Sequence, residues 1–161
     1  MPGFDPARFQ HMKLLVRPAT AADVICIARH NQSMAWETES IDLDYDQAME
    51  GVRTVIEDPT LGFYLVAELG RKVVGSLFVT YEWSDWRNGM RWWLQSIYVQ
   101  PEFRRQGVFS GMLDHVKSLG AREHILGLML YVVETNEGAL QTYDQLQFKR
   151  RPYRILSLNV N

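Results

Sequence analysis

A strand that passes through a short basic turn directly into a helix constrains this chain most. The apolar run over 94–99 predicts the strand, and Pro101 follows it. The turn over 104–107 is Arg-Arg-Gln-Gly, and an amphipathic helix starts at once. Arginines are electrostatically unfavourable there, because a helix start already carries partial positive charge. Free N–H groups and a glycine suit a bound anion, so we interpret the turn as a pyrophosphate site. The alternative is a plain glycine turn with solvated arginines.

Length and composition restrict the class of protein further. The chain has 161 residues, of which 47% are apolar, and this is enough for one globular domain with a sizeable core. Its net charge of −2 argues against a nucleic-acid partner. The single cysteine, Cys26, allows no internal disulfide and favours a cytoplasmic location. No apolar run is long enough to predict a membrane span.

The first eleven residues show no hydrophobic periodicity and end immediately before a second methionine, Met12. We expect residues 1–11 to be an added leader, with native translation beginning at Met12. The domain is therefore assigned to residues 12–161.

Hydrophobic periodicity predicts the remaining elements. In chain order, we expect a strand at 13–17, a helix at 21–34 capped by Thr20 with Asp23, a helix from 45 capped by Asp44 and ended by Pro59, strands at 63–68 and 73–81, a loop at 82–90, a strand at 91–99, a helix at 107–119, a fully buried strand at 128–133, a helix capped by Thr135, and one or two final strands within 148–158. This order predicts an α/β domain with a mixed sheet and helices on both faces.

The turn also carries a family resemblance. Arg104-x-x-Gly107-x-Phe109, after a strand that ends Val99-x-Pro101, resembles motif A of the GCN5-related N-acetyltransferases (the GNAT family). That family has Gln or Arg, two residues, Gly, one residue, then Gly or Ala, so Phe109 departs from the pattern. The order of elements from Leu14 onward resembles the family's single-domain fold, with its central mixed, splayed β-sheet.

The resemblance implies acetyl-coenzyme A as cosubstrate. In the family, the pantetheine arm lies between two splayed strands and pairs with free strand backbone. Backbone N–H groups at the helix start hold the pyrophosphate. The implied cofactor-binding residues are Ile97, Tyr98, Val99, Arg104, Arg105, Gln106, Gly107, Val108, Phe109, Ser110 and Asn136.

A second segment, Asn136 to Tyr143, resembles the family's Asn-x-x-Ala-x-x-x-Tyr at the start of the last helix. The resemblance implies that Asn136 binds the pantetheine amide and that Tyr143 is the general acid for the departing thiolate. An ordinary thiol has a pKa near 8.5 and a phenol near 10, so this proton transfer needs a close hydrogen bond. The alternative for Tyr143 is an aromatic residue of the core.

The general base is not fixed by the resemblance. Some family members place a glutamate on the fourth strand, and counting back from Gly107 puts Trp93 at that place. We therefore consider Glu82 or Asp85 as the base. Two further carboxylates expected after the first helix, Glu37 and Glu39, and a water relay are alternatives.

Five tryptophans, at 36, 83, 86, 92 and 93, are expected to cluster on the acceptor side. Trp92 and Trp93 are adjacent in a strand, so they face opposite sides of the sheet. The expected acceptor-site residues are Glu37, Trp83, Trp86 and Trp93. The alternative is a packing or dimer surface. The stretches 37–39, 83–89 and 92–96 resemble a bacterial subgroup of the family.

The resulting functional hypothesis is direct transfer of an acetyl group to a primary amine of a small molecule or peptide. The alternative is a coenzyme A-binding sensor or interaction module without turnover, which Trp93 and Phe109 favour. The four histidines have no metal-ligand spacing and are expected on the surface, so no metal is expected. A homodimer is possible.

Overall fold

A five-stranded β-sheet forms the centre of the computed structural model, which describes residues 12–160. The expected leader, residues 1–11, lies outside these residues. The chain divides into two compact units, one ending at Tyr131 and the other beginning at Val132. The elements of the first unit are β1 (Leu14–Pro18), a 3-10 turn (Ala21–Asp23), α1 (Val24–Glu39), α2 (Tyr45–Glu57), β2 (Phe63–Leu69), β3 (Lys72–Ser84), β4 (Gly89–Val99), a 3-10 turn (Pro101–Phe103), α3 (Val108–Arg122) and β5 (Gly127–Leu130). The second unit contains α4 (Glu137–Gln145).

The strands lie in the order β1-β2-β3-β4-β5. The first three pairings are antiparallel, whereas β4 and β5 are parallel. Parallel neighbours need a crossover connection, and α3 provides it. The sheet is therefore mixed, which confirms the predicted α/β architecture.

Helices cover both faces of the sheet. On one face, Val24 and Ile27 of α1 and Val52 of α2 pack with Tyr64 and Val66 of β2. On the other face, a Cβ added to Gly75 of β3 would lie 3.3 Å from side-chain atoms of Val108 and Met112 in α3. The alternation of side chains along β2 and β3 thus supplies two cores. In residues 12–160, no helix has both the length and the apolar character that a membrane span requires.

The first two helix starts follow the prediction. Thr20 and Asp23 form a capping box, and the Asp44 carboxylate accepts a hydrogen bond from the Gln47 backbone N–H at 2.8 Å. However, α1 continues past Met34 to Glu39. No glycine or proline interrupts it before Ser40, which ends the helix in a left-handed conformation (φ 55°).

Three sheet predictions were wrong. The expected loop at 82–90 is a short turn, because Glu82↔Arg91 and Trp83↔Met90 extend the ladder between β3 and β4. β5 ends at Leu130, and all four of its residues are partly exposed, because it is an edge strand of the described sheet. No strand forms over 148–160, although the apolar pattern there favours one.

Thr135 was also the wrong cap for the last helix. The side-chain oxygen of Asn136 accepts the bond from the Ala139 backbone N–H at 3.1 Å, so Asn136 is the N-cap of α4. Asparagine and threonine both cap helices, and adjacent capping residues leave the boundary ambiguous in the sequence.

Candidate functional site

The C-terminal half of β4 separates from its parallel neighbour. The ladder between β4 and β5 ends at the pair Leu94↔Leu130, whereas β4 continues to Val99. From Gln95 to Val99, the edge of β4 on the β5 side is therefore not paired with β5. Such an edge offers backbone groups to an extended ligand, as in strand addition.

A β-bulge lies in the same half of the strand. On the β3 side, Gln95 pairs with Phe78 and Tyr98 pairs with Ser76, so two residues of β4 oppose Leu77 alone. The first of the two, Ser96, has a left-handed conformation (φ 47°). A bulge increases the local twist and redirects backbone groups, and bulges occur often beside active sites.

The start of α3 is open to a ligand. Gly107 has a φ of 80°, and a Cβ added there would meet no atom within 4 Å. The first backbone hydrogen bond of the helix joins the Gly111 N–H to the Gly107 carbonyl at 2.9 Å. The backbone N–H groups in the first turn of a helix have no acceptor within the helix itself. This arrangement fits a phosphate group.

Two side chains of the basic turn, Arg104 and Gln106, form hydrogen bonds to protein groups. Arg104 donates through Nε to the Val99 carbonyl (2.8 Å) and through Nη2 to Glu37 Oε2 (2.6 Å). Gln106 donates from Nε2 to the Glu102 carbonyl at 2.8 Å. Arg105 is exposed and has a φ of 59°. The Arg104 guanidinium thus binds protein groups, whereas the exposed Arg105 side chain and the backbone of the turn remain available to an anion.

The side chain of Tyr98, in this half of β4, packs against His30 of α1. The Tyr98 hydroxyl donates to Glu37 Oε1 at 3.0 Å, and burial raises the pKa of Tyr98. His30 is 4% exposed, so its expected surface position was wrong. Its Nδ1 lies 2.9 Å from Ser76 Oγ, its ring centroid lies 5.0 Å from that of Tyr98, and burial lowers the pKa of His30 to about 4.

Glu82, one of the two suggested bases, comes together with Trp93. Its Oε2 accepts a hydrogen bond from the indole Nε1 at 2.5 Å, and its Oε1 accepts one from Arg91 at 3.0 Å. The ring of Trp93 stacks on Tyr131 with centroids 4.3 Å apart. A carboxylate from β3 thus contacts the indole of Trp93 in β4.

Asp85 lies apart from this group, in the turn between β3 and β4. Its Oδ1 accepts a hydrogen bond from the Trp86 backbone N–H at 2.9 Å. Trp86 itself is 92% exposed. The structure therefore brings one of the two suggested bases, and not the other, beside Trp93.

The five tryptophans do not form the expected cluster, although Trp92 and Trp93 face opposite sides of the sheet as predicted. Trp92 is buried on the α3 side, since its ring lies 3.7 Å from the position of a Cβ on Gly120. Trp83 alternates with Glu82 along β3 and so faces the side of the sheet away from Trp93. Trp36, in α1, is exposed like Trp86. A run of aromatic residues in the sequence does not show which strand face each one takes.

In the second unit, α4 carries the two remaining predicted residues. Asn136 caps the helix through its side-chain oxygen, and Tyr143 lies about two turns further along. The Tyr143 ring meets Phe148 edge to face, with centroids 5.7 Å apart. Burial raises the pKa of Tyr143, so the phenol stays protonated at neutral pH.

An unpaired strand edge can pair with an extended ligand, and an open helix start can bind a phosphate group. Among residues 12–160, no three His, Cys, Asp or Glu side chains are grouped so that they could hold a metal ion. The model of the acetyltransferase (GNAT) family matches residues 22–148. The chain belongs to the GNAT family.

Solved structures support the same fold. A possible acetyltransferase from Clostridium difficile 630 is 38% identical, with a TM-score of 0.84 over 92% of this chain and 98% of that one. A predicted acetyltransferase with acetyl-CoA from Clostridium acetobutylicum is 16% identical, with a TM-score of 0.73 over 91% and 96%. At that identity, the second likeness shows the fold alone.

Curated relatives match over shorter segments. Thialysine N-epsilon-acetyltransferase from Bos taurus is 32% identical over 77 residues, which are 48% of this chain and 45% of that protein. N-alpha-acetyltransferase 60 from Danio rerio is 34% identical over 64 residues, 38% of this chain and 26% of that protein. The chain thus spans less than half the length of these relatives.

Proposed function

We propose that the protein is an acetyl-CoA-dependent N-acetyltransferase that moves an acetyl group directly to a primary amine of a small molecule or peptide. One observation in this GNAT chain carries the proposal: β4 is no longer paired with β5 after Leu94, and the chain then reaches the open start of α3 at Gly107. The names of both curated relatives describe amine acetylation. The proposal treats residues 12–161 as one cytoplasmic acetyltransferase domain.

The backbone supplies most of the cofactor contacts in this proposal. Acetyl-CoA, when bound, brings an activated thioester. The main chain of Ile97, Tyr98 and Val99 pairs with the pantetheine arm and polarises the acetyl carbonyl, as an oxyanion hole does. The N–H groups from Arg105 to Ser110 hold the diphosphate.

The amine attacks the acetyl carbonyl carbon, so that a C–N bond forms and the C–S bond breaks. The amine loses a proton, and the departing thiolate takes one. No acyl-enzyme forms in this scheme, and Cys26, in α1, is not used.

Tyr143 is the proposed proton donor to the thiolate, and Asn136 the proposed partner of the pantetheine amide. Tyr143→Phe should lower kcat by about a hundredfold, the lower end of the range for general acids, with little change in the Kd for CoA. Steady-state kinetics and calorimetric titration measure the two quantities. An unchanged kcat would remove the acid role.

Glu82 is the proposed general base, and Trp93 a wall of the acceptor site. Glu82→Gln should lower kcat/KM for the amine by at least about tenfold. Asp85→Asn provides the comparison, because Asp85 is the other suggested base. A larger loss in Asp85→Asn than in Glu82→Gln would reverse the assignment.

Release of free thiol from acetyl-CoA, measured over a panel of primary amines, tests the function itself. We expect at least one amine to raise the release above the rate without enzyme. Tight CoA binding without release for any amine would favour the alternative, a binding module.

A further inference from the structure

Three side chains join the end of α1 to the basic turn at residues 104–107. Glu37 lies in the last turn of α1, Tyr98 lies in β4, and Arg104 lies in the turn itself. The Glu37 carboxylate accepts from the Tyr98 hydroxyl at one oxygen (3.0 Å) and from Arg104 at the other (2.6 Å). We define these three residues as the turn clamp.

Arg104 is fixed from several sides. Its Nε donates to the Val99 carbonyl, and this hydrogen bond connects the turn to the end of β4. Its guanidinium carbon lies 5.4 Å from the centroid of the Tyr98 ring, within the range of a cation–π contact. A planar guanidinium with several rigid donors suits this role better than a lysine would.

Tyr98 is fixed in turn by groups beneath it. Its ring packs on His30, whose Nδ1 faces Ser76 Oγ. Gln100 Nε2 donates to the Val73 carbonyl and lies 3.2 Å from His30 Nε2. An amide nitrogen only donates, so His30 Nε2 accepts, and Nδ1 carries the proton that it gives to Ser76.

We propose that Glu37 and Tyr98 are positioning residues that hold the main chain of 104–107 in its diphosphate-binding shape through Arg104. This inference rests on the proposed function only in naming the ligand as a diphosphate. It replaces two expectations from the sequence: Arg104 is an anchor of the turn rather than a phosphate ligand, and Glu37 binds protein groups rather than the acceptor.

The sign of one effect separates positioning from competition. If Glu37 merely kept Arg104 away from the cofactor phosphates, removal of its charge would strengthen CoA binding. If Glu37 positions the turn, the same change weakens CoA binding. The pair is about two-fifths exposed, and such ion pairs contribute little to stability, so variants should fold.

The experiment compares donors with and without the diphosphate. Glu37→Gln should raise the Kd for CoA about tenfold by calorimetry and lower kcat/KM for acetyl-CoA by the same factor. With acetyl-pantetheine, which lacks the diphosphate, kcat/KM should stay within about twofold of the wild type. Glu57→Gln, an exposed glutamate at the end of α2, is the matched control and should change neither value.

A double-mutant cycle tests whether Glu37 acts through Arg104. Arg104→Gln should weaken CoA binding, and the double variant should be no weaker than Arg104→Gln alone. Tyr98→Phe keeps the ring and loses the hydroxyl, so a smaller loss of about threefold is expected. Tighter CoA binding in Glu37→Gln, equal losses with both donors, or additive effects would each overturn the proposal. The calorimetric arm does not need turnover, so its outcome is separable from that of the proposed function.

Discussion

The two halves of β4 differ in what satisfies their backbone. From Arg91 to Leu94, the strand pairs with β3 on one side and β5 on the other. From Gln95 to Val99, the ladder with β5 has ended and the ladder with β3 contains a bulge at Ser96. One strand thus changes from structural core to candidate site within a few residues.

This difference shows how the fold makes a binding edge without a separate loop. A backbone group left without a partner is costly when buried, so an unpaired strand edge is usually covered or used. The first half is held by Trp92 and Leu94, which are 5% and 1% exposed. In the second half, Tyr98 packs on His30 of α1, and the polar groups of both side chains are hydrogen-bonded. Rigid packing of the first half positions the open edge of the second.

The sharpest test of the first half is Trp92→Ala. We expect a loss of about 3–5 kcal/mol in the free energy of unfolding, because a large buried ring is replaced by a cavity. The Kd for CoA of the folded variant should stay close to that of the wild type. Urea unfolding and calorimetry measure the two values.

Trp86→Ala is the matched control for Trp92→Ala. Trp86 is 92% exposed, so Trp86→Ala should change the protein's free energy of unfolding by less than about 0.5 kcal/mol. Equal effects of the two substitutions would contradict the assignment of Trp92 to the core.

The buried histidine under the second half predicts a loss of stability in acid. The pKa of His30 is about 4 when folded and near 6.5 when unfolded, so between these values the unfolded state binds the extra proton. Stability from the neutral imidazole is therefore present above pH 6.5 and is lost as the pH falls towards 4. Between pH 7 and pH 5, the protonation of this group should lower the free energy of unfolding by about 2 kcal/mol.

His30→Gln removes the titrating group. Between pH 7 and pH 5, the free energy of unfolding of this variant should therefore fall by about 2 kcal/mol less than that of the wild type. Urea titrations at the two pH values measure the difference. His124→Gln, at an exposed histidine, is the control. Parallel pH dependences for wild type and His30→Gln would show that His30 does not titrate as the burial implies.

The smallest expected effect lies just beyond the second half, at Gly107. Gly107→Asn should raise the Kd for CoA by at least about tenfold, because a side chain would occupy the open space over the helix start. Asparagine tolerates a positive φ, so the backbone should keep its shape. Calorimetric titration with CoA gives the affinity.

Gly51→Asn is the control for Gly107→Asn, since Gly51 also has open space around it but lies in α2. Gly107→Val adds backbone strain to the same crowding and should bind CoA still more weakly. Normal affinity in Gly107→Asn would count against the diphosphate site.

The features that the sequence predicted well depend on near neighbours in the chain. The Thr20–Asp23 capping box, the Asp44 cap and the glycine turn before α3 are each set within a few residues. The family resemblance also rests on short motifs, around Gly107 and Asn136. The polar pair Gln95-Ser96, which interrupts the apolar residues from Trp92 to Val99, was the available signal for the bulge.

The features that only the tertiary structure decided depend on residues far apart in the chain. The partners Glu37 and Arg104 are separated by 67 positions, and the contact of Glu82 with Trp93 follows from the register between β3 and β4. The apolar pattern over 148–158 predicted a strand that did not form, because a strand exists only where another pairs with it. Local spacing thus determined where the first two helices and the glycine turn begin, whereas pairing and packing across the sheet decided which side chains meet at the site.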